Sequence, residues 1–371
     1  MDFSRIFNLD DKNICSSQQQ TSVLLPVSGP DLVFVVGAAY RRYYHKYRKN
    51  NVNQAMAASE IIPGIHVVRG KFAGEFGFIA SYLIADAGEV LVIDPGTAGD
   101  PGDRLEEAIR SLGLDPKNDV VGILCTHGHP DHAAGAGRLR KTTGAPILIH
   151  QEDAELLQTP AKFLNERLLM DKAERFSMKF DKGPLRVNYR GVEADELVSH
   201  GQNISVGETN LKVIHTGGHS AGHCVFYDTS RKSLFSGDEV NNFPNDSRKF
   251  YVDNTGSIVS KLAALDVLSK LGADYLFPSH DTPHLFADVH LQFEAAKDGV
   301  VHLQDTILTL LGARGEADIE QLVFDIRQAR SVPLPESYDA LITTTIHVTL
   351  MGLKEAGLIR ELGDGIWTKV G

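Results

Sequence analysis

The sequence predicts a layered α/β domain, with sheets inside and helices outside, followed by a smaller helical domain. Two observations carry this. From residue 61, short apolar runs alternate with amphipathic stretches in two successive sets. After residue 300 the pattern changes to three helical segments and a glycine-containing hairpin. A chain of 371 residues has room for two domains of ordinary size, and 42% hydrophobic with 23% charged residues is the composition of a soluble globular protein. The expected division is 1–60 as an N-terminal extension, 61–299 as the main α/β domain and 300–371 as the C-terminal domain.

Each element has its reason. Ile65 to Val68, Ile79 to Ala85 and Val90 to Ile93 are apolar runs broken by glycine and charge, the mark of strands. Asp94-Pro95-Gly96 ends the third, and Leu105 to Leu112 follows as an amphipathic helix. Val120 to Thr126 is nearly all apolar, as in a strand buried on both faces. Ala133 to Thr142 reads as a helix and Pro146 to His150 as a strand. Residues 151–190 read as helical and polar, an insertion beside the site. Leu211 to His215, Cys224 to Tyr227, Ser233 to Phe235 and Tyr275 to Pro278 are strands, with a helix over Ile258 to Leu271. Val301 to Leu311, Ile319 to Ile326 and Leu341 to Ala356 are helices, and Leu358 to Leu362 with Ile366 to Lys369 form the hairpin.

Composition excludes several classes. A net charge of −11 opposes a general nucleic-acid binder. Cys15, Cys125 and Cys224 are too few and odd in number for a disulfide framework, which favours a reduced, cytoplasmic setting. The apolar pieces Val23 to Val27 and Leu32 to Tyr40 fall short of the ~20 residues of a membrane span, so no integral membrane segment is expected. The basic, tyrosine-rich segment holding Arg41, Arg42, Lys46, Arg48 and Lys49 reads as a solvated helix face.

The chemistry concentrates in His127-Gly128-His129-Pro130-Asp131-His132, three imidazoles and a carboxylate in six positions. These are the donors that zinc and similar ions take. A helix would put His127 and His129 on different faces, whereas a turn favoured by Gly128 and Pro130 brings all four side chains inward. His219, Asp238 and His280 share a setting: each follows a strand and is flanked by turn residues. Strand ends give ligands fixed positions while loops admit substrate. His215 reads as core packing; His150, His284, His290, His302 and His347 read as structural or surface; His223 is either a support for the ligands or a residue facing substrate.

With Ile93-Asp94-Pro95-Gly96, His127-x-His129-x-Asp131-His132, His219, Asp238 and His280 in this order, residues 60–290 resemble the metallo-β-lactamase superfamily. The resemblance implies an αββα sandwich with two metals at one edge. His127, His129 and His219 would hold one metal, Asp131, His132 and His280 the other, and Asp238 both. Two zinc ions per chain are the implied cofactor, with iron or manganese as alternatives. Asp131 would orient the attacking water or shuttle its proton, and Asp94 would orient the ligand loop. Two positions depart from the family's usual pattern: Gly217-Gly218 stands for Pro-Gly, and Ser279 for Gly.

Three helices and a hairpin are a winged-helix pattern, but residues 300–371 carry six cations against ten acids, so DNA is not expected as a partner. The domain order resembles a superfamily subgroup with a C-terminal winged-helix cap, which includes an animal mitochondrial endoribonuclease and thioesterases of carrier-bound polyketides. The leading expectation is a metal-dependent hydrolase of a thioester, lactone or related ester, on a small-molecule or carrier-bound acyl substrate. The alternative is cleavage of single-stranded RNA, helped by the basic segments 41–49 and 248–249; Arg248, Lys249 and Tyr251 read either as binders of an anionic group or donors to the reacting oxygen, or as a solvated loop. An iron-dependent sulfur dioxygenase and a β-lactamase rank lower.

Overall fold

Strands that are apolar at every position need cover on both faces, and two sheets stacked between helices supply it. The computed structural model describes residues 58–70, 79–159, 162–163, 190–240, 254–280, 283–329 and 339–371. The first sheet has seven strands in chain order: β1 (Ser59–Ile62), β2 (Ile65–Arg69), β3 (Ala80–Asp86), β4 (Glu89–Ile93), β5 (Val120–Leu124), β6 (Ile147–His150) and β7 (Glu196–Val198). Pairing is antiparallel from β1 to β4 and parallel from β4 to β7. The second sheet holds β8 (Asn203–Val206), β9 (Thr209–His215), β10 (Cys224–Asp228), β11 (Ser233–Gly237), β12 (Tyr275–Pro278) and β13 (His284–Leu285). In it β11 and β12 run parallel and the other neighbours antiparallel.

Parallel neighbours need crossovers, and helices provide them. These are α1 (Leu105–Ser111), α2 (Pro130–Ala133), α3 (Ala136–Thr143), α4 (Gln151–Gln158) and α5 (Ile258–Leu268). The side-chain period of two sorts each strand between layers. On β4, Leu91 and Ile93 meet Phe226, Phe235 and Phe277 between the sheets. Val90 and Val92 face the other way, against Leu105 and Ile109 of α1. On β10, Val225 and Tyr227 face outward toward Leu265 and Leu268 of α5. The architecture is an αββα sandwich.

The C-terminal region follows as α6 (Ala287–Arg314), β14 (Glu316–Ala317), α7 (Ile319–Ala329), α8 (Asp339–Glu355), β15 (Ile359–Gly363) and β16 (Ile366–Lys369). Its sheet is ordered β14-β16-β15. Helix α6 begins well before the expected Val301. Its first half buries Val289, Phe293 and Ala296 on the second sheet's outer layer. Its second half buries Leu303, Ile307 and Leu311 with Leu322, Ile342 and Trp367.

The expected helix from Ala133 to Thr142 divides in two at Gly135, for a steric reason. The Gly135 N–H donates to Gly96 O at 2.9 Å, and a Cβ there would lie 2.4 Å from Pro95 O. The Asp94-Pro95-Gly96 turn thus presses against the break. Among the described residues, no helix is long and apolar enough to cross a membrane. The basic segment 41–49, most of the polar stretch 151–190, and Arg248, Lys249 and Tyr251 lie outside the described residues.

Candidate metal centre

The C-terminal ends of β5, β9, β11 and β12 deliver all seven predicted ligand residues to one edge of the sandwich, and that of β4 brings Asp94 beside them. At this edge three sets of residues each bring their donor atoms within 4.8 Å of one another: His127, His129 and His219; His127, His132 and Asp238; Asp131, His132 and His280. His129 Nδ1 faces His219 Nε2 at 3.0 Å. Asp238 Oδ2 lies 3.6 Å from His219 Nε2, 3.3 Å from His132 Nε2 and 3.3 Å from His280 Nε2. It therefore stands between the two outer groups. Asp131 Oδ2 lies 3.3 Å from His280 Nε2 and 3.5 Å from His132 Nε2. Asp131 is partly exposed, while the three histidines of the first group and Asp238 are buried.

Burial and charge act differently on the two sides. Burial, helped by His132, His129 and the other neighbouring rings, pushes His127 well below the usual histidine range. Burial also lowers His129 to about 4 and holds His219 well down. These rings are neutral at neutral pH, the form that ligates metal. On the other side burial also opposes protonation, but carboxylates outweigh it. Asp238 and Asp131 raise His132 well above its usual value and raise His280 to about 10. The same contacts hold Asp131 and Asp238 ionised against the cost of leaving water. Among the described residues, His127 Nε2 is buried without a hydrogen-bond partner and is aimed among the other donors. A buried polar atom left so is costly, and a cation at this point removes the cost. The residues fit a pair of divalent ions.

The sequence of residues 74–280, more than half of the chain, matches the family model described as the metallo-beta-lactamase superfamily. The chain belongs to the metallo-beta-lactamase superfamily. It is 30% identical over 162 residues to a protein of Aquifex aeolicus (strain VF5), covering 42% of this chain and 63% of that protein. It is 30% identical over 158 residues to the hydroxyacylglutathione hydrolase GloC of Haemophilus influenzae, covering 43% of this chain and 64% of that enzyme. The chain thus spans under two thirds of the length of these two relatives. The crystal structure of the metallo-beta-lactamase family protein TTHA1429 from Thermus thermophilus shares the fold, with a TM-score of 0.68 at 22% identity. That likeness covers 84% of this chain and 100% of the other.

Within this superfamily fold, each ligand position has a local cause. Asp94 follows β4 with a φ of 51°, a left-handed conformation that turns its carboxylate back into the sandwich. There it accepts from Thr126 N at 2.7 Å, Thr126 Oγ1 at 2.8 Å and Ser279 Oγ at 3.2 Å. It also accepts from His132 Nδ1 at 3.0 Å, which leaves His132 Nε2 for the cluster. Ser279, the departure from the usual glycine, is thereby part of this support. Gly217, the departure from the usual proline, has a φ of 61°, which the proline ring forbids.

Several supporting residues carry no signal in the sequence. Asp153 accepts from Gly128 N at 2.9 Å, Ser220 Oγ at 2.6 Å and Gly222 N at 2.7 Å, pinning two ligand loops to each other. Thr255 Oγ1 lies 3.2 Å from His129 Nε2 and donates to His219 O at 3.0 Å. Accepting the Nε2 proton leaves His129 Nδ1 for a metal. Asn254, beside it, is tied to Thr345 of α8 by an N–H donated at 2.9 Å, so the C-terminal region reaches this support.

His223 is buried, and its Nε2 accepts the Asp238 N–H at 3.1 Å, so it supports a site residue and does not face substrate. His215 is not core: its ring is partly exposed, stacks on His150 at 3.9 Å and bonds Ala221 O at 2.8 Å.

Proposed function

We propose that the chain is a metal-dependent hydrolase that holds two zinc ions and cleaves an acyl bond in a thioester, lactone or related ester. The observation that carries the metal reading is the position of Asp238 between two donor groups, within 3.6 Å of rings from both. His127, His129 and His219 would hold one ion and Asp131, His132 and His280 the other, with Asp238 shared. Imidazole and carboxylate donors suit zinc, with iron or manganese as alternatives. When bound, such ions would acidify a water and polarise the bond under attack. The chain's own residues do the rest. Asp131, the partly exposed member of the constellation, would orient the attacking water or shuttle its proton. Asp94 and Thr255 keep His132 and His129 in the ligating tautomers.

The acyl reading rests on two supports. Relatives from Haemophilus influenzae and Bdellovibrio bacteriovorus bear the name hydroxyacylglutathione hydrolase. The acidic balance of the chain, and of residues 300–371 in particular, disfavours a polyanion. We read residues 300–371 as a winged-helix cap packed by α6 and α8 on the catalytic domain, and the protein as cytoplasmic. The basic segments 41–49 and 248–249, with the resemblance in domain order, are what favour single-stranded RNA as substrate.

Elemental analysis followed by a panel of thioester, lactone, β-lactam and single-stranded RNA tests the reading. Two zincs per chain with thioester or lactone turnover is the expected result. RNA cleavage that falls steeply with salt, without acyl turnover, would replace it with the nuclease. One iron per chain with oxygen uptake would replace it with a dioxygenase.

A further inference from the structure

Beneath the metal centre lies a lysine that an apolar-spaced helix is expected to expose. Lys261, on α5, is fully buried, and so is Glu239 beside it. Their charged atoms are 3.6 Å apart. Lys261 Nζ also donates to the main-chain carbonyl of Asp238 at 3.2 Å. Glu239 Oε2 accepts from the backbone N–H of His219 at 3.2 Å and from Thr216 Oγ1 at 2.8 Å. His223 completes the frame by accepting the Asp238 N–H and lying 3.0 Å from Thr216 Oγ1. The main chain of Asp238 is thus held at its N–H and its C=O by buried groups. The residue after it grips the loop that carries His219.

Space has been cleared for this pair. A Cβ on Gly218 would lie 2.2 Å from Glu239 Oε1 and 2.7 Å from Lys261 Cα. The glycine before His219 is the position at which the loop passes over the two charges. A buried ion pair is seldom more stabilising than apolar residues of the same volume. Apolar residues cannot donate to the Asp238 carbonyl or accept from the His219 N–H, and those two bonds fix the shared carboxylate against a ring of the first donor group.

We propose that Lys261 and Glu239 are positioning residues that set the place of Asp238 relative to His219, and through it the affinity for both metals. The proposal rests on the two-metal reading above. Its test uses the full-length, zinc-loaded protein with a readout separate from turnover: zinc retained against a graded chelator series, and the absorption spectrum of the cobalt(II)-substituted form. The double variant K261M/E239M removes both charges together with the bonds to the Asp238 carbonyl and the His219 N–H, and leaves neither charge alone in the interior. Circular dichroism and melting are expected to stay near wild type. Zinc is expected to be lost about ten- to a hundredfold more readily, with an altered cobalt spectrum. K261R alone, which keeps the charge and a donor, is expected to retain most of the affinity.

Wild-type zinc affinity and an unchanged cobalt spectrum in the folded double variant would overturn the proposal, leaving the pair as filling only. Should the double variant not fold, T216V supplies the decision. It preserves volume and the ion pair while removing the Thr216 bonds to Glu239 and to His223, both parts of the frame around Asp238, and a several-fold loss of zinc affinity is expected. No change in T216V would equally overturn the proposal. Wild-type protein that takes up fewer than two zincs would instead refute the metal reading, and this proposal with it.

Discussion

The two halves of the metal centre solve opposite problems. His127, His129 and His219 form a buried, all-imidazole group in which burial keeps the rings neutral. Asp131, His132 and His280 form a group with a partly exposed carboxylate, in which charge keeps the rings protonated until something replaces the proton. The first half is prepared for a metal by losing water. The second is prepared by gathering negative charge, and protons hold the place in the meantime. The difference teaches that one site is made of a preorganised neutral socket and an ionic one, joined by Asp238.

The largest break in this comparison is expected from Asp238→Ala, because Asp238 touches both halves. Loss of both metals and of about 10³-fold or more in kcat/KM is expected, since metal stabilisation of a transition state is worth several kcal/mol. Elemental analysis beside the kinetics checks it; two retained zincs would refute the shared role.

Single-half variants come next. His280→Ala is expected to leave one zinc, in the imidazole half, and His129→Ala to leave one in the other. Activity should fall about a hundredfold or more in each. If either variant empties both halves alike, the division into two halves is wrong.

A smaller effect is expected from the supports, each on its own half. Thr255→Val should weaken zinc binding at the imidazole half, and Asp94→Ala, which frees His132 directly and His127 only through Thr126, chiefly at the ionic half, by about ten- to a hundredfold in affinity. Stepwise zinc titration separates them. Equal loss at both halves in either variant would show that the supports act on the whole edge.

The smallest effect is in pH dependence, measured by thermal unfolding. In the metal-free protein His280 binds its proton more tightly folded than unfolded, with its pKa raised from 6.5 to about 10. Its contribution to stability is full below pH 6.5 and is lost as pH rises toward 10. His129 has the opposite sign: lowered to about 4, it costs stability as pH falls from 6.5 toward 4. Metal-free protein is therefore expected to lose melting temperature from neutral pH toward pH 10, while zinc-loaded protein stays level. An equal slope in both forms would show that metal does not take the place of the His280 proton.

What the sequence reveals follows from how each feature is encoded. β4, β5 and β10 are legible because burial on both faces makes nearly every position apolar. The short edge elements are not: Glu196–Val198 contains one buried residue, and Asn203–Val206 alternates. The seven site residues are legible because rare residue types cluster at strand ends. Their supports are common types far away in the chain. Asp153 acts 25 residues from Gly128 and 67 from Ser220, a pairing that only the fold creates. Lysine is usually exposed, so the burial of Lys261 has no signal of its own in the helix and follows from a carboxylate on another element.

Helix α6 has a mechanical consequence. Its 28 residues form a continuous rod of about 42 Å, half buried in the outer layer of the sandwich and half in the C-terminal cluster. A helix propagates cooperatively, so melting either half frays the other. The C-terminal region and the sandwich are therefore expected to lose structure in one transition, read as coincident melting by a probe in each.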